Sequence, residues 1–336
     1  MKLTGLPRAI IYGLYLFFIF TCIAISDVIM TLSIPVLFFS RSIFRKITNS
    51  IASFGWPLFT FAFETFGRNK IVWSGEPIHE YQEGSSKGLG RDRNALVTIN
   101  HTYYCDWLLS FSLGERCGRI GNIKIAMKDV IKYIPFVGVG IWAMGFIFLS
   151  RKWQDDQKKI NQAYSHLKTD GEPFWFVTHP EGSRVNATNV KKSQEFAKER
   201  GLPILNNVLL PRVKGFTSSV LALRDNLDAV YDLTVAYKKR PAGFLALFFG
   251  SRPTEIHVHL KRFPIQSLPT EEKHIEQWLY QRSKEKDILI QQFKDKGYFS
   301  EKPLDLPFNP KNYLINFLVW LLIFSLSIYS FYYLFI

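Results

Sequence analysis

A histidine and an aspartate five positions apart, His101 and Asp106, lie in the run Asn100-His101-Thr102-Tyr103-Tyr104-Cys105-Asp106. Imidazole takes up and returns a proton near neutral pH, and a neighbouring carboxylate fixes its tautomer and stabilises the imidazolium that forms. On an ideal helix, five residues leave the two side chains about 140° apart. They meet only if His101 precedes the helix and Asp106 stands in its first turn. Residues 95–99, Ala95-Leu96-Val97-Thr98-Ile99, read as a strand that would put His101 at its carboxyl end. That is where α/β folds gather catalytic groups. The spacing equally suits a histidine beside a helix cap, with Asp106 as a first-turn acid.

Three further runs carry candidate ligands for an anion. In His179-Pro180-Glu181-Gly182-Ser183-Arg184, Gly182 permits a tight turn and Arg184 offers a planar fork to phosphate. Gly145-Phe146-Ile147-Phe148-Leu149-Ser150-Arg151 ends on an arginine at a strand end. Leu210-Pro211-Arg212-Val213-Lys214 adds two cations. Each run also has a plain reading, as a turn or strand end with solvated charges. Cys105 is a small buried residue before it is a nucleophile, because a thiol needs an activating neighbour. His179 and Glu181 lack a third partner for a metal, and no metal site is expected.

These residues need a scaffold. Strands are expected at 95–99, 146–149, 174–177, 208–210, 231–237 and 255–260, and helices at 107–113, 158–167 and 270–297. Strand and helix alternate, which predicts an α/β fold with a mostly parallel sheet flanked by helices. Gly84 to Arg93 reads as a flexible loop. Both ends of the chain are apolar. Residues 9–39 carry one charge, Asp27, and one proline, Pro35. The run exceeds the roughly 20 residues of one span and is short for two, so a hairpin or re-entrant pair broken near Asp27 and Pro35 is expected, with a single tilted span as the runner-up. It is too long for a cleaved leader. Residues 51–66 suit a membrane interface. Tyr313 to Ile336 holds no charged side chain and is expected to span. The expected organisation is an anchor over 1–66, a catalytic domain over 67–300 and a C-terminal membrane segment over 301–336.

Lysine and arginine number 42 against 28 acidic residues. With apolar ends and no nucleic-acid-binding signature, that excess points to an anionic membrane face or a phosphorylated substrate, and not to nucleic acid. Three cysteines make no disulfide framework and suit a reducing, cytosolic side. Two glycosylation sequons, at Asn100 and Asn186, would place glycans on the candidate site, which argues the same orientation.

Taken in order, the four runs resemble the blocks of the lysophospholipid and glycerolipid acyltransferase family. Asn100, His101 and Asp106 match its first block. Gly145, Ile147, Phe148 and Arg151 match its second, His179 to Arg184 its third with His179 for Phe and Ser183 for Thr, and the segment around Pro211 its fourth. The stretches Ser150 to Trp153, Tyr231 to Thr234 and Trp278 to Phe299 resemble the lysocardiolipin and lysophosphatidylinositol branch. The resemblance implies acyl transfer from acyl-CoA, as co-substrate, to a lysophospholipid hydroxyl in the endoplasmic reticulum membrane. It implies His101 as general base oriented by Asp106. Asn100, Arg151, Glu181, Gly182, Ser183, Arg184, Arg212 and Lys214 would line the substrate site. The alternatives are a non-catalytic lipid-binding or scaffold member of the same fold, and an esterase, which the absence of a Gly-x-Ser-x-Gly elbow disfavours.

Overall fold

Strands of near-continuous apolar sequence must be covered on both faces, which is the signature of parallel pairing. The computed structural model describes residues 6–76, 92–135, 137–150, 152–241, 243–250 and 252–335. They contain seven strands: β1 (Lys70–Gly75), β2 (Asn94–Ile99), β3 (Ile123–Lys128), β4 (Ile147–Leu149), β5 (Phe174–Thr178), β6 (Ala229–Tyr237) and β7 (Glu255–Pro264). They form one sheet in the order β1-β7-β6-β2-β5-β3-β4. All neighbouring strands are parallel except β6 and β7. The expected mostly parallel α/β sheet is present.

The helices are α1 (Leu6–Leu32), α2 (Arg41–Phe61), α3 (Asp106–Arg116), α4 (Gly138–Ala143), α5 (Trp153–Thr169), α6 (Ala187–Glu199), α7 (Val213–Leu223), α8 (Ala246–Phe249), α9 (Glu272–Lys296) and α10 (Pro310–Phe335). Side-chain alternation along the strands divides the core in two. Val97, Trp175 and Tyr231 face one cluster with α1, α2, α3 and α10, while Leu96, Phe176 and Val230 face another with α5, α7 and α9.

Three expectations are corrected. Val208-Leu209-Leu210 is not a strand. Its backbone N–H groups go to side chains: Val208 to Asp287, Leu209 to Glu181 and Leu210 to Ser193. β1 and β3 were not expected: a lysine opens β1, and β3 carries one inside the strand and one at its end. In β3, Lys124 is buried and its Nζ donates to Asn49 Oδ1 of α2 at 2.8 Å. The break near Asp27 is also absent. α1 runs unbroken to Leu32, because the Asp27 carboxylate accepts from the Gly140 backbone of α4. A Cβ at Gly140 would fall 1.9 Å from Asp27 Oδ1, so only glycine lets it approach. The turn comes at 33–40, where a short 3-10 segment holds Pro35.

Residues 9–39 thus hold one long helix and no hairpin of their own, and α1 instead pairs with α2. Tyr15 packs against Phe61 and donates to Leu58 O at 3.2 Å. α10 completes a three-helix bundle, with Tyr313 stacked on Phe61 and Phe317 packed at a tilt against Phe18. Residues 51–66 do not simply lie at an interface: Ala52, Leu58, Ala62 and Phe63 are buried in the core. The stretches Ile10–Phe38 and Pro310–Ser330 are long and apolar enough to cross a membrane. Their outer faces expose Leu14, Phe17, Leu318 and Leu322. The Gly84 to Arg93 run lies, up to residue 91, outside the described residues.

Candidate active site

β2 ends at Ile99, and α3 begins at Asp106. His101 thus precedes the helix, and Asp106 opens it. His101 Nδ1 lies 2.9 Å from Asp106 Oδ2. The same oxygen accepts from the Thr102 and Tyr103 backbone N–H groups at 2.7 and 2.9 Å. Its other oxygen, Oδ1, accepts from the Tyr237 hydroxyl at 2.5 Å. Donors therefore surround Asp106, which is fully buried and accepts from each of them. Nδ1 of His101 must then carry the proton, leaving the Nε2 lone pair free to accept one. The histidine side chain is about 20% exposed, enough for a substrate hydroxyl to reach it.

The loop after β5 is tied to this site from two sides. Glu181 Oε1 accepts from His101 N at 3.1 Å, and Oε2 accepts from Leu209 N at 3.2 Å. Val185 N donates to His101 O at 2.8 Å, and Arg212 N donates to Pro180 O at 2.7 Å. The first, third and fourth sequence blocks are thereby stitched together. Gly182 has φ +65, and the Arg212 side chain lies over it, where a Cβ would come within 3.0 Å of Cδ and Nε. Its N–H is spent on His179 O, so it is no oxyanion donor. Burial pushes the Glu181 carboxyl up to about 8, against its two backbone donors and the Lys286 ammonium, which favour the anion.

His179 stacks on His101 with ring centroids 4.5 Å apart. Its Nδ1 lies 3.1 Å from Ile99 O, an acceptor only, so Nδ1 carries its proton. Burial and then the His101 ring beside it lower its pKa to about 4. A neutral ring thus stands against the proposed base.

Not every expected residue faces the substrate. Asn100 is buried, with its amide exchanging both bonds with the Val235 backbone at 3.0 and 2.7 Å. It fastens β2 to β6. Glu181 reaches back to the two loops and not to Arg184. Arg184, Arg212 and Lys214 are exposed, and Ser183 is half-buried in the same turn. Among the described residues, the Arg184 guanidinium has no protein partner. Arg151 lies outside the described residues. Its neighbour Ser150 is fixed by Asp156 Oδ1, at 2.8 Å to N and 2.9 Å to Oγ. Among the described residues, no three His, Cys, Asp or Glu side chains gather to hold a metal ion.

Two groups behind the site escaped the motif reading. Tyr237, at the end of β6, holds Asp106, and only the strand pairing brings it there. Asp232, within the same buried strand, accepts from Thr98 Oγ1 at 2.7 Å and Arg282 Nε at 3.0 Å, and lies 2.6 Å from Lys286 Nζ. A lone acid in an apolar strand, with an Arg and a Lys one turn apart on α9, was the available signal. Cys105 is capped by this arrangement: burial pushes its thiol up to about 12, which makes it a poor nucleophile.

Comparison with known proteins gives the class. Residues 78–238 match the family model described as Acyltransferase, and residues 246–320 match Acyltransferase C-terminus. The probable 1-acyl-sn-glycerol-3-phosphate acyltransferase 5 of Arabidopsis thaliana is 37% identical over 261 residues, covering 78% of this chain and 66% of that protein. The 1-acyl-sn-glycerol-3-phosphate acyltransferase 3 of the same plant is 30% identical, covering 84% and 74%. The delta enzyme of Bos taurus is 31% identical, covering 77% and 68%. A solved acyltransferase from Thermotoga maritima aligns at TM-score 0.42 and 16% identity, over 84% of this chain and 98% of that one. The family models and the relatives define an acyltransferase. The chain belongs to the 1-acyl-sn-glycerol-3-phosphate acyltransferase family.

Proposed function

We propose that the chain moves an acyl group from acyl-CoA to the free hydroxyl of lysophosphatidic acid in the endoplasmic reticulum membrane, with its site facing the cytosol. The carrying observation is the His101–Asp106 pair, which leaves Nε2 of His101 as the open proton acceptor. The acceptor choice follows the names of the relatives. Lysocardiolipin and lysophosphatidylinositol are the acceptors suggested by the branch-like stretches. The positive flanks of α1 and the apolar α1 and α10 support the membrane placement.

In this reading His101 draws the proton from the acceptor hydroxyl as its oxygen attacks the thioester carbon. The tetrahedral oxyanion collapses, the C–S bond breaks, and the proton passes to the departing CoA thiolate. Base catalysis of this kind contributes about 10²–10⁴-fold, and holding two substrates in register contributes more. Arg184, with Arg151 and Arg212, would hold phosphate of the acceptor or of CoA. Lys214 would add positive charge at the rim, and Ser183 would offer its hydroxyl.

The test is transfer from labelled acyl-CoA to a panel of the three lysophospholipids, in membranes carrying wild type or His101→Ala. The expected result is one preferred acceptor, with the variant silent at equal abundance. Folded wild type that acylates nothing, or a fully active variant, returns the chain to the non-catalytic lipid-binding alternative.

A further inference from the structure

The crossover from β3 to β4 starts on the carboxyl side of the sheet. β4 begins level with Ala126, two residues before the end of β3, or about 7 Å at the rise of a strand. The 3-10 turn at Asp129–Tyr133 follows β3 directly, on the rim that also carries His101 and the loop after β5, and α4 runs from there to α2, where Ala143 O accepts from Arg45 Nη1. β5 is the immediate neighbour of β3 in the sheet.

This rim segment is apolar where it meets solvent. Tyr133 is 72% exposed, and Ile134, Val139 and Trp142 are each about half exposed. The corner between α1 and α2 adds Phe38 and Phe39, at 88% and 90%. The two pieces are far apart in sequence but joined in space. Phe44 packs 6.5 Å from Trp142, and Asp27 of α1 binds the Gly140 backbone of α4. Exposed phenylalanines and isoleucines scattered singly are ordinary, but a joined patch with these exposures needs a cover.

We propose that the 129–142 segment and the Phe38–Phe39 corner form a lip that sinks into the headgroup and acyl boundary of the bilayer, beside the active site. The occupant is lipid because the patch is continuous with α1: Phe38 closes the apolar stretch Ile10–Phe38. The composition suits an interface. Tyr133 and Trp142 have an apolar body with a polar tip, Lys132 Nζ rests 4.8 Å over the Tyr133 ring, and Lys46 is exposed nearby in sequence to the corner. Such segments lie roughly 5–10 Å deep and do not cross the membrane. The lip would let an acceptor move from the leaflet to His101 without leaving lipid. This rests on the membrane reading of α1 given above.

The three native cysteines are buried, so an introduced thiol is labelled selectively. Tyr133→Cys and Lys273→Cys, each carrying an environment-sensitive fluorophore, are compared in full-length protein. Lys273 is exposed at the start of α9, on the sheet face opposite α1, α2 and α10. The protein is placed in nanodiscs of phosphatidylcholine and phosphatidylglycerol, with and without doxyl-labelled phosphatidylcholine. Quenching at position 133 at least about threefold stronger than at 273 is expected for shallow insertion. Equal quenching overturns the proposal. A blue-shifted but unquenched label at 133 also overturns it, because protein would then be the cover. In a second arm, Tyr133→Asp with Ile134→Asp should cut acylation of a long-chain acceptor in bilayers about tenfold while sparing a dispersed short-chain acceptor. Equal loss on both acceptors would overturn the delivery role. If wild type transfers nothing, the functional reading falls alone, since the quenching is read without turnover.

Discussion

The proton-transfer centre and the cationic rim of the same site are built in opposite ways. Around His101 every polar atom that the reaction does not need has a partner: Asp106 takes four donors, Glu181 two, and Asn100 is tied on both sides. At the rim, Arg184, Arg212 and Lys214 stand exposed. Under the proposed function, the difference follows from the work each would do. A general base must be aimed before the substrate arrives, because misaim costs rate directly. A phosphate ligand must be left unpaired, because an internal carboxylate would compete with the substrate for it. The contrast predicts that damage to the centre appears in kcat and damage to the rim in KM.

The largest expected effect is His101→Ala, a fall in kcat of about 10²–10⁴ with KM little changed. Steady-state kinetics in membranes at matched abundance would measure it. A variant with normal kcat and raised KM would erase the contrast, since His101 would then be a binding residue. Next comes Arg184→Ala. Loss of a charged hydrogen bond to phosphate should raise KM for one of the two substrates about 10- to 100-fold, with kcat changing far less. Comparing the two substrates also tells which phosphate the arginine holds. An equal fall in kcat alone would move Arg184 from the rim into the centre.

The centre was legible in the sequence because its parts are local. Five positions separate His101 from Asp106, and the geometry of a strand end meeting a helix start follows from that spacing. The parallel sheet was legible for the same reason, in β2 and β5, whose apolar runs are continuous. What could not be read is what only pairing brings together. Tyr237 is 131 residues from Asp106. Leu209 and Leu210 look like strand, yet their backbone donors are taken by Glu181 and Ser193, 28 and 17 residues away. β3 was hidden by Lys124, a charge that belongs in a buried strand only because Asn49 of α2 waits for it. Asp27 looked like a break in α1 until Gly140 supplied a donor. For Lys124 and Asp27, a polar residue that breaks the local pattern is satisfied by a distant partner.

Tyr237 is the place to sharpen the comparison, since it belongs to the centre but never meets substrate. Tyr237→Phe removes one of four donors to Asp106 and keeps the ring that packs edge-on at 4.8 Å from Tyr103. The three remaining bonds still hold the carboxylate. The expected result is a several-fold fall in kcat, on the order of 1 kcal/mol, with KM unchanged for both substrates. A raised KM would mean that the hydroxyl contributes to binding.

The smallest effect at neutral pH should come from His179→Phe, and its value lies in its pH dependence. The ring of His179 is neutral in the folded protein, with its pKa lowered to about 4 by burial and by His101. In the unfolded chain it returns to about 6.5. Between those values the unfolded state binds the extra proton, so stability falls as pH falls. The wild type should therefore have its full contribution from this site above pH 6.5 and lose it on acidification through about 4. Phenylalanine cannot titrate, and its ring can keep the stack against His101, though it gives up the bond to Ile99 O. The variant should be slightly less stable than wild type at pH 7.5, and the gap should close or reverse by pH 5. Thermal unfolding of both proteins in the same detergent across that range measures it. Parallel curves would mean that His179 titrates in the fold as it does in the unfolded chain, so burial would not keep its ring neutral on acidification.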